Sequence, residues 1–161
     1  MTVPPPLWEL CVLSALRVDS FDFAFVALRH FARVAILSEM FSEAVLDHFR
    51  NPRNAGELPD ATATVEVSNP VCGDILRLSA RIVDGQIAEA RFLCRGCTTS
   101  IACASLLTEE LRNRAPEETR SITAESLSQS LGGLPPVTFH GAQLAADAVS
   151  ALLRKLPAKN P

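Results

Sequence analysis

The sequence predicts an α+β domain, a small three-stranded antiparallel sheet packed with several helices. Three observations predict it. An Asp84-Gly85 dipeptide separates two runs of strand-like alternation, residues 75–83 and 86–93, as in a tight hairpin with a type I′ turn. Residues 62–68 alternate Thr, Val and Glu and supply a third strand at the sheet edge. On either side of these runs, apolar residues recur at helical spacing.

Phe41, Val45, Leu46 and Phe49 form the first helical set, with Ser42 as cap and Asn51-Pro52-Arg53-Asn54 as stop, and this helix is expected to pack on the sheet. In the hairpin, Leu76, Leu78, Ala80 and Ile82 share one face, and a slip of one residue would expose them all to water. That burial pattern sets Val83 opposite Gln86. Carried to the open end, the same register places Asp74 opposite Arg95 and Cys72 opposite Cys97, with paired Cα atoms roughly 4.5 to 5.5 Å apart. Two facing thiolates at that distance can share a metal. Beyond Cys97, Thr98 and Thr99 are expected to cap a helix running to about Arg114, with Ile101, Ser105 and Leu106 toward the sheet. Cys97 therefore sits at a helix N-terminus, where unpaired N–H groups and the positive end of the dipole favour a thiolate ligand. Residues 121–131 form a further helix, stopped by Gly132-Gly133, and Leu134-Pro135-Pro136-Val137 is an extended linker. A last helix runs from about 141 to 156, with Leu144, Ala148, Leu152 and Leu156 on its core face.

At 161 residues, with 48% hydrophobic and 20% charged, the chain suits one domain with a real core. A net charge of -3 and the lack of any dense Lys/Arg run give no electrostatic case for nucleic acid or an anionic membrane as partner. Five cysteines, an odd number, with a Cys94-x-x-Cys97 pair and no cleavable secretory signal point to a reducing, cytoplasmic setting and to metal or redox chemistry. Residues 1–39 read differently. Their apolar runs are broken by Glu9, Arg17, Asp19, Asp22, Arg29 and Arg33, short of the roughly 18 residues a membrane span needs. The expectation is an N-terminal extension over 1–39 with Met40 as the functional start, one domain over 40–156, and a tail over 157–161.

Four motifs then occur in order. They are Asp47-His48-Phe49-Arg50-Asn51-Pro52-Arg53-Asn54; Asn69-Pro70-Val71-Cys72-Gly73-Asp74; Arg95-Gly96-Cys97 leading into Ala102-Cys103-Ala104-Ser105-Leu106-Leu107-Thr108-Glu109; and Leu134-Pro135-Pro136-Val137 before His140. In order and spacing they resemble the U-type iron-sulfur cluster assembly scaffold family (NifU N-terminal / IscU-like). The resemblance implies that family's α+β fold and a carrier, not a turnover enzyme. On such a scaffold a transient 2Fe-2S cluster is built from iron and from sulfur delivered by a cysteine desulfurase, then passed to apo-proteins. It further implies Cys72 and Cys97 as cluster ligands, Asp74 as the carboxylate that keeps the cluster labile, and His140 as the nearby imidazole. The match departs at two positions. Gly141 stands where the family has a third cysteine, a ligand and the usual sulfur acceptor, and Thr138 stands where the segment recognised by an Hsp70-type chaperone ends in Lys.

Chemistry weighs these residues separately. A carboxylate oxygen is a harder ligand than a thiolate, so Asp74 would loosen a soft cluster, its alternatives being a turn cap or a pair with Arg95. His140 is the most plausible extra ligand. Cys94 shares strand parity with Ala88, Ala90 and Phe92, which reads as packing, and its place at the strand end makes it a candidate substitute ligand. Cys103 reads as packing within its helix, and His48 as solvated or half-buried. Three other functions compete with the scaffold. A zinc-binding sulfur-relay partner of a cysteine desulfurase would use Cys72, Asp74, Cys97 and His140 as a tetrahedral set. A thiol-disulfide oxidoreductase would use Cys94 and Cys97, against the absence of a βαβ unit. A degenerate relative would bind the desulfurase and carry no cluster.

Overall fold

A computed structural model describes residues 40–156. The expectations for residues 1–39, for Met40 as start and for the tail at 157–161 lie outside the described residues or are not decided by them. Helix α1 spans Glu43–Arg50 and is capped by Ser42, whose hydroxyl accepts from the Val45 N–H. Strands β1 (Ala63–Ser68), β2 (Ile75–Val83) and β3 (Gln86–Arg95) form an antiparallel sheet in that order, with β1 at an edge. Helix α2 (Thr98–Leu111) comes next, then a 3-10 turn at Pro116–Ser121 and helix α3 (Ala124–Ser130). A second 3-10 turn (Pro136–Thr138) leads into α4 (His140–Lys155). The predicted extended linker is thus a single helical turn, entered from Pro135 and Pro136, whose fixed φ suits the start of such a turn.

One face of the sheet is covered by helices, with α2 against β3 and α4 against β1 and β2. Between these layers lie Leu76, Leu78, Ala80, Ile87 and Phe92 from the sheet, Leu107 and Leu111 from α2, and Leu144, Ala148 and Leu152 from α4, all buried. Helix α1 packs on α2. Ser105, read from sequence as facing the sheet, instead bonds to His48 of α1. The free edge of β3 is closed at two places. The Gly56 N–H donates to the Phe92 carbonyl, and the Asn113 N–H donates to that of Ile87, so the chain before β1 and after α2 occupies an edge that would otherwise template pairing.

The hairpin turn is as expected, with Asp84 and Gly85 both at positive φ (52° and 77°). Its register is not. Val83 pairs with Gln86 and Ile82 with Ile87, but Arg81 pairs with Glu89, leaving Ala88 as the extra residue of a β-bulge. From there to Ile75–Arg95 every pair is one residue out of step with the expected register. Asp74 consequently comes opposite Gly96, not Arg95, and Gly73, not Cys72, lies level with Cys97. The bulge lets Ile87 on one side of it and Ala90 and Phe92 on the other all reach the core, which an unbroken alternation cannot do.

Candidate functional site

The site lies where the open end of the β2–β3 hairpin meets the starts of α2 and α4. The loop between β1 and β2 folds into a tight turn in which the Gly73 N–H donates to the Asn69 carbonyl and the Asn69 N–H to that of Asp74. The Asn69 side chain accepts from the Val71 N–H, an Asx turn, and Gly73 takes φ +74°. Cys72 is carried exposed on the outside of this turn, and Asp74 points inward, 6% exposed.

Cys97 is the N-cap residue of α2, so Thr98 and Thr99 lie within the first helical turn and do not cap it. Its thiol lies 3.0 Å from Thr99 Oγ1 and 3.3 Å from Ser100 Oγ, and the residue is exposed. The Cys97 N–H donates to Asp74 Oδ2 at 3.2 Å, and the Ser100 hydroxyl donates to the same oxygen at 2.5 Å. Burial pushes the Asp74 carboxyl upward. Hydrogen bonds from the Ser100 hydroxyl and the Cys97 backbone, helped by the neighbouring Cys97 and Cys72 thiols, outweigh it, so the group is held below the usual carboxylate range. Asp74 is therefore held ionised, bonded to the Cys97 N–H and the Ser100 hydroxyl. It forms no ion pair with Arg95 among the described residues, so that alternative falls.

Two glycines make this geometry. A Cβ on Gly96 would stand 2.7 Å from Asp74 Cγ and 2.8 Å from Oδ2, so only glycine lets the carboxylate lie across the strand end. A Cβ on Gly141 would stand 2.8 Å from both Ser100 N and Thr99 C. The first turn of α4 has thus closed onto the first turn of α2. His140, one residue earlier, is exposed on the same helix start.

Cys94 is half-buried against the core, paired with Leu76, on the face shared with Ala90 and Phe92. Burial, then the Asp74 charge, pushes its thiol up to about 12, and burial does the same for Cys103, which is fully enclosed. Both keep their protons at neutral pH. Among the described residues no three His, Cys, Asp or Glu side chains stand together as a ready metal cage. Cys97 and Asp74 are joined through the Cys97 N–H and through Ser100, which touches both, while Cys72 is exposed on the adjoining turn and His140 on the start of α4.

Sequence reasoning passed over Ser100 and Thr99 as site residues. The signal was present in the run Thr98-Thr99-Ser100, three hydroxyls directly after a helix-capping cysteine. It also undervalued His48, which is buried (8% exposed), with Nδ1 2.9 Å from Ser105 Oγ and Nε2 3.8 Å from Glu109. Ser105 Oγ also accepts from the Arg53 N–H, and Asn54 donates to Thr108, so the motif from Asp47 to Asn54 is a clamp of α1 and its exit loop onto α2.

Fold and site together define an α+β domain of the NifU type, with two thiols and a carboxylate at the sheet end. Residues 40–161 match the model of the NifU-like N terminal domain, and the chain belongs to this family. It is 41% identical over 110 residues to the iron-sulfur cluster assembly scaffold protein IscU 1 of Archaeoglobus fulgidus, covering 68% of this chain and 72% of that protein. To IscU of Azotobacter vinelandii it is 40% identical over 119 residues, covering 71% and 91%. Among solved structures, the N-terminal NifU-like protein from Brucella abortus aligns with TM-score 0.60 at 18% identity, over 77% of this chain and 99% of that one, a likeness of fold.

Proposed function

We propose that this chain is an iron-sulfur cluster assembly scaffold, which binds iron and a transient 2Fe-2S cluster and passes it to apo-proteins. The Asp74 carboxylate, bonded to the Cys97 N–H at the sheet end beside the exposed Cys72, is the observation that carries the reading. Relatives at about 40% identity bear the same function in their names. Two soft thiolates and one hard carboxylate make a weak, open donor set suited to a cargo that must leave. His140, exposed at the start of α4, completes it as the fourth ligand in this reading. Cys94 can serve as substitute ligand only if the end of β3 opens, because in the closed strand its thiol stays protonated.

The partners in this reading are a cysteine desulfurase as sulfur source and apo iron-sulfur proteins as recipients, in the reducing cytoplasm. With Gly141 in place of a third thiol, sulfur enters on Cys72 or Cys97, both of which are exposed. Thr138 argues against dependence on an Hsp70-type chaperone. Among the described residues no helix is long and apolar enough to cross a membrane. Zinc on the same four residues is the second reading, favoured by the small number of thiols. Incubation with ferrous iron, cysteine and a desulfurase under anaerobic conditions tests the first. Growth of sulfide-to-iron charge-transfer bands, and then their transfer to an apo-ferredoxin, is expected, and a protein that stays colourless under these conditions contradicts it.

A further inference from the structure

Ser100 is enclosed at 2% exposure in the first turn of α2, and it is not a ligand in the scaffold reading. Its hydroxyl donates to Asp74 Oδ2 at 2.5 Å, and the Cys97 N–H donates to that same oxygen at 3.2 Å. An ionised carboxylate has about four lone-pair positions, two on each oxygen. Both donors fall on Oδ2, so that oxygen is filled and Oδ1 is left to meet an incoming ion. Ser100 cannot easily withdraw. Its backbone is pressed by the start of α4, where Gly141 leaves no room for a side chain between the two helices.

We infer that Ser100 is a positioning residue that restricts Asp74 to a one-oxygen grip on the cargo, and so sets how readily the site lets it go. The inference rests on the scaffold reading and extends it to a group that never touches metal. A carboxylate free at both oxygens can chelate a metal ion in bidentate fashion, whereas one oxygen alone gives a weaker hold. Without the Ser100 hydroxyl, one position on Oδ2 opens and the hold tightens. Removal of a supporting hydrogen bond would then slow release, whereas loosening a merely structural contact would speed it.

The test uses cobalt(II) alone as probe on the full chain, with thiolate-to-cobalt absorption reporting Cys72 and Cys97, and d–d bands reporting coordination number. In Ser100→Ala, cobalt loss to excess EDTA is expected to slow several-fold, with the thiolate band unchanged and the d–d bands weakened as a further oxygen joins. Ser100→Thr, which keeps the hydroxyl, should release at the wild-type rate, and Ser100→Gly, which removes it with less bulk, should slow release as the alanine variant does and covers the case in which that variant does not fold. In an Asp74→Ala background, Ser100→Ala should change nothing. Equal or faster release from a folded Ser100→Ala overturns the inference alone, as does slowing that persists without Asp74 or appears equally in Ser100→Thr. A wild-type protein with no thiolate-to-cobalt band removes both the inference and the ligand reading beneath it.

Discussion

Gly141 shows how a single residue changes the meaning of a site. Taken as a missing cysteine, it is a lost ligand; in the structure it is also the contact that lets α4 close on α2, with 2.8 Å between a would-be Cβ and the backbone of Thr99 and Ser100. An alanine in a helix is ordinarily better than glycine by roughly 0.5 to 1 kcal/mol. Here the sign reverses, and Gly141→Ala is predicted to destabilise by about 1 to 3 kcal/mol as an overpacked contact, measured as a lower urea midpoint. Gly141→Cys meets the same backbone, so it brings back a thiol only by moving the helix start. At Gly96 the expected effect is on the site more than on the fold. Gly96→Ala displaces the Asp74 carboxylate, and the variant should keep its helical circular dichroism while losing cobalt retention. Cys72, Cys97, Asp74 and His140 stand out as candidates in the sequence because the motifs that carry them resemble the family's in type and order. Ser100 stood out only as part of a hydroxyl run, since a serine in a helix start is usually read as a cap and its partner lies 26 residues away.

At the scale of elements, the order of strands and helices was legible because each has a strong local cause, such as the Asp84-Gly85 turn, the Ser42 cap and the Gly132-Gly133 stop. Register was not legible beyond the bulge. Ala88 is small and fits either face, so nothing in the alternation marks it as the extra residue, yet it moves every later pair by one. That shift puts a glycine, not an arginine, across from Asp74 and makes the close carboxylate contact available. The hairpin itself should be tunable without harm to the site. Gly85→Val places a β-branched residue at φ 77° and should cost about 1 to 2 kcal/mol in chemical denaturation, with cobalt spectra unchanged. In contrast Leu78, wholly buried between sheet and helices, should cost about 2 to 5 kcal/mol when cut to alanine.

For the whole molecule, stability is tied to pH through the clamp between α1 and α2. Burial, reinforced by the Arg53 charge, holds the His48 imidazole below its ordinary value against the pull of Glu109 and Asp47, so the fold favours its neutral form. The unfolded chain takes up that proton near pH 6.5. Its contribution is therefore whole above that pH and is lost as pH falls toward the lowered folded value. The melting temperature is predicted to decline on acidification below neutrality, before the carboxylates titrate, and His48→Gln should flatten that decline. The same clamp seats α2, whose first turn carries Ser100 and whose N-cap is Cys97, so fold and site share one element. The central claim is that two thiols and a carboxylate, completed by His140, carry a cluster where a third thiol is absent. It is tested most directly by anaerobic purification with iron, sulfide and zinc analysis and a visible spectrum, on the wild type and a Cys72→Ala/Cys97→Ala variant. Iron with matching sulfide and charge-transfer bands, all lost in the variant, is the predicted result; stoichiometric zinc without bands, or no metal in either protein, would contradict it.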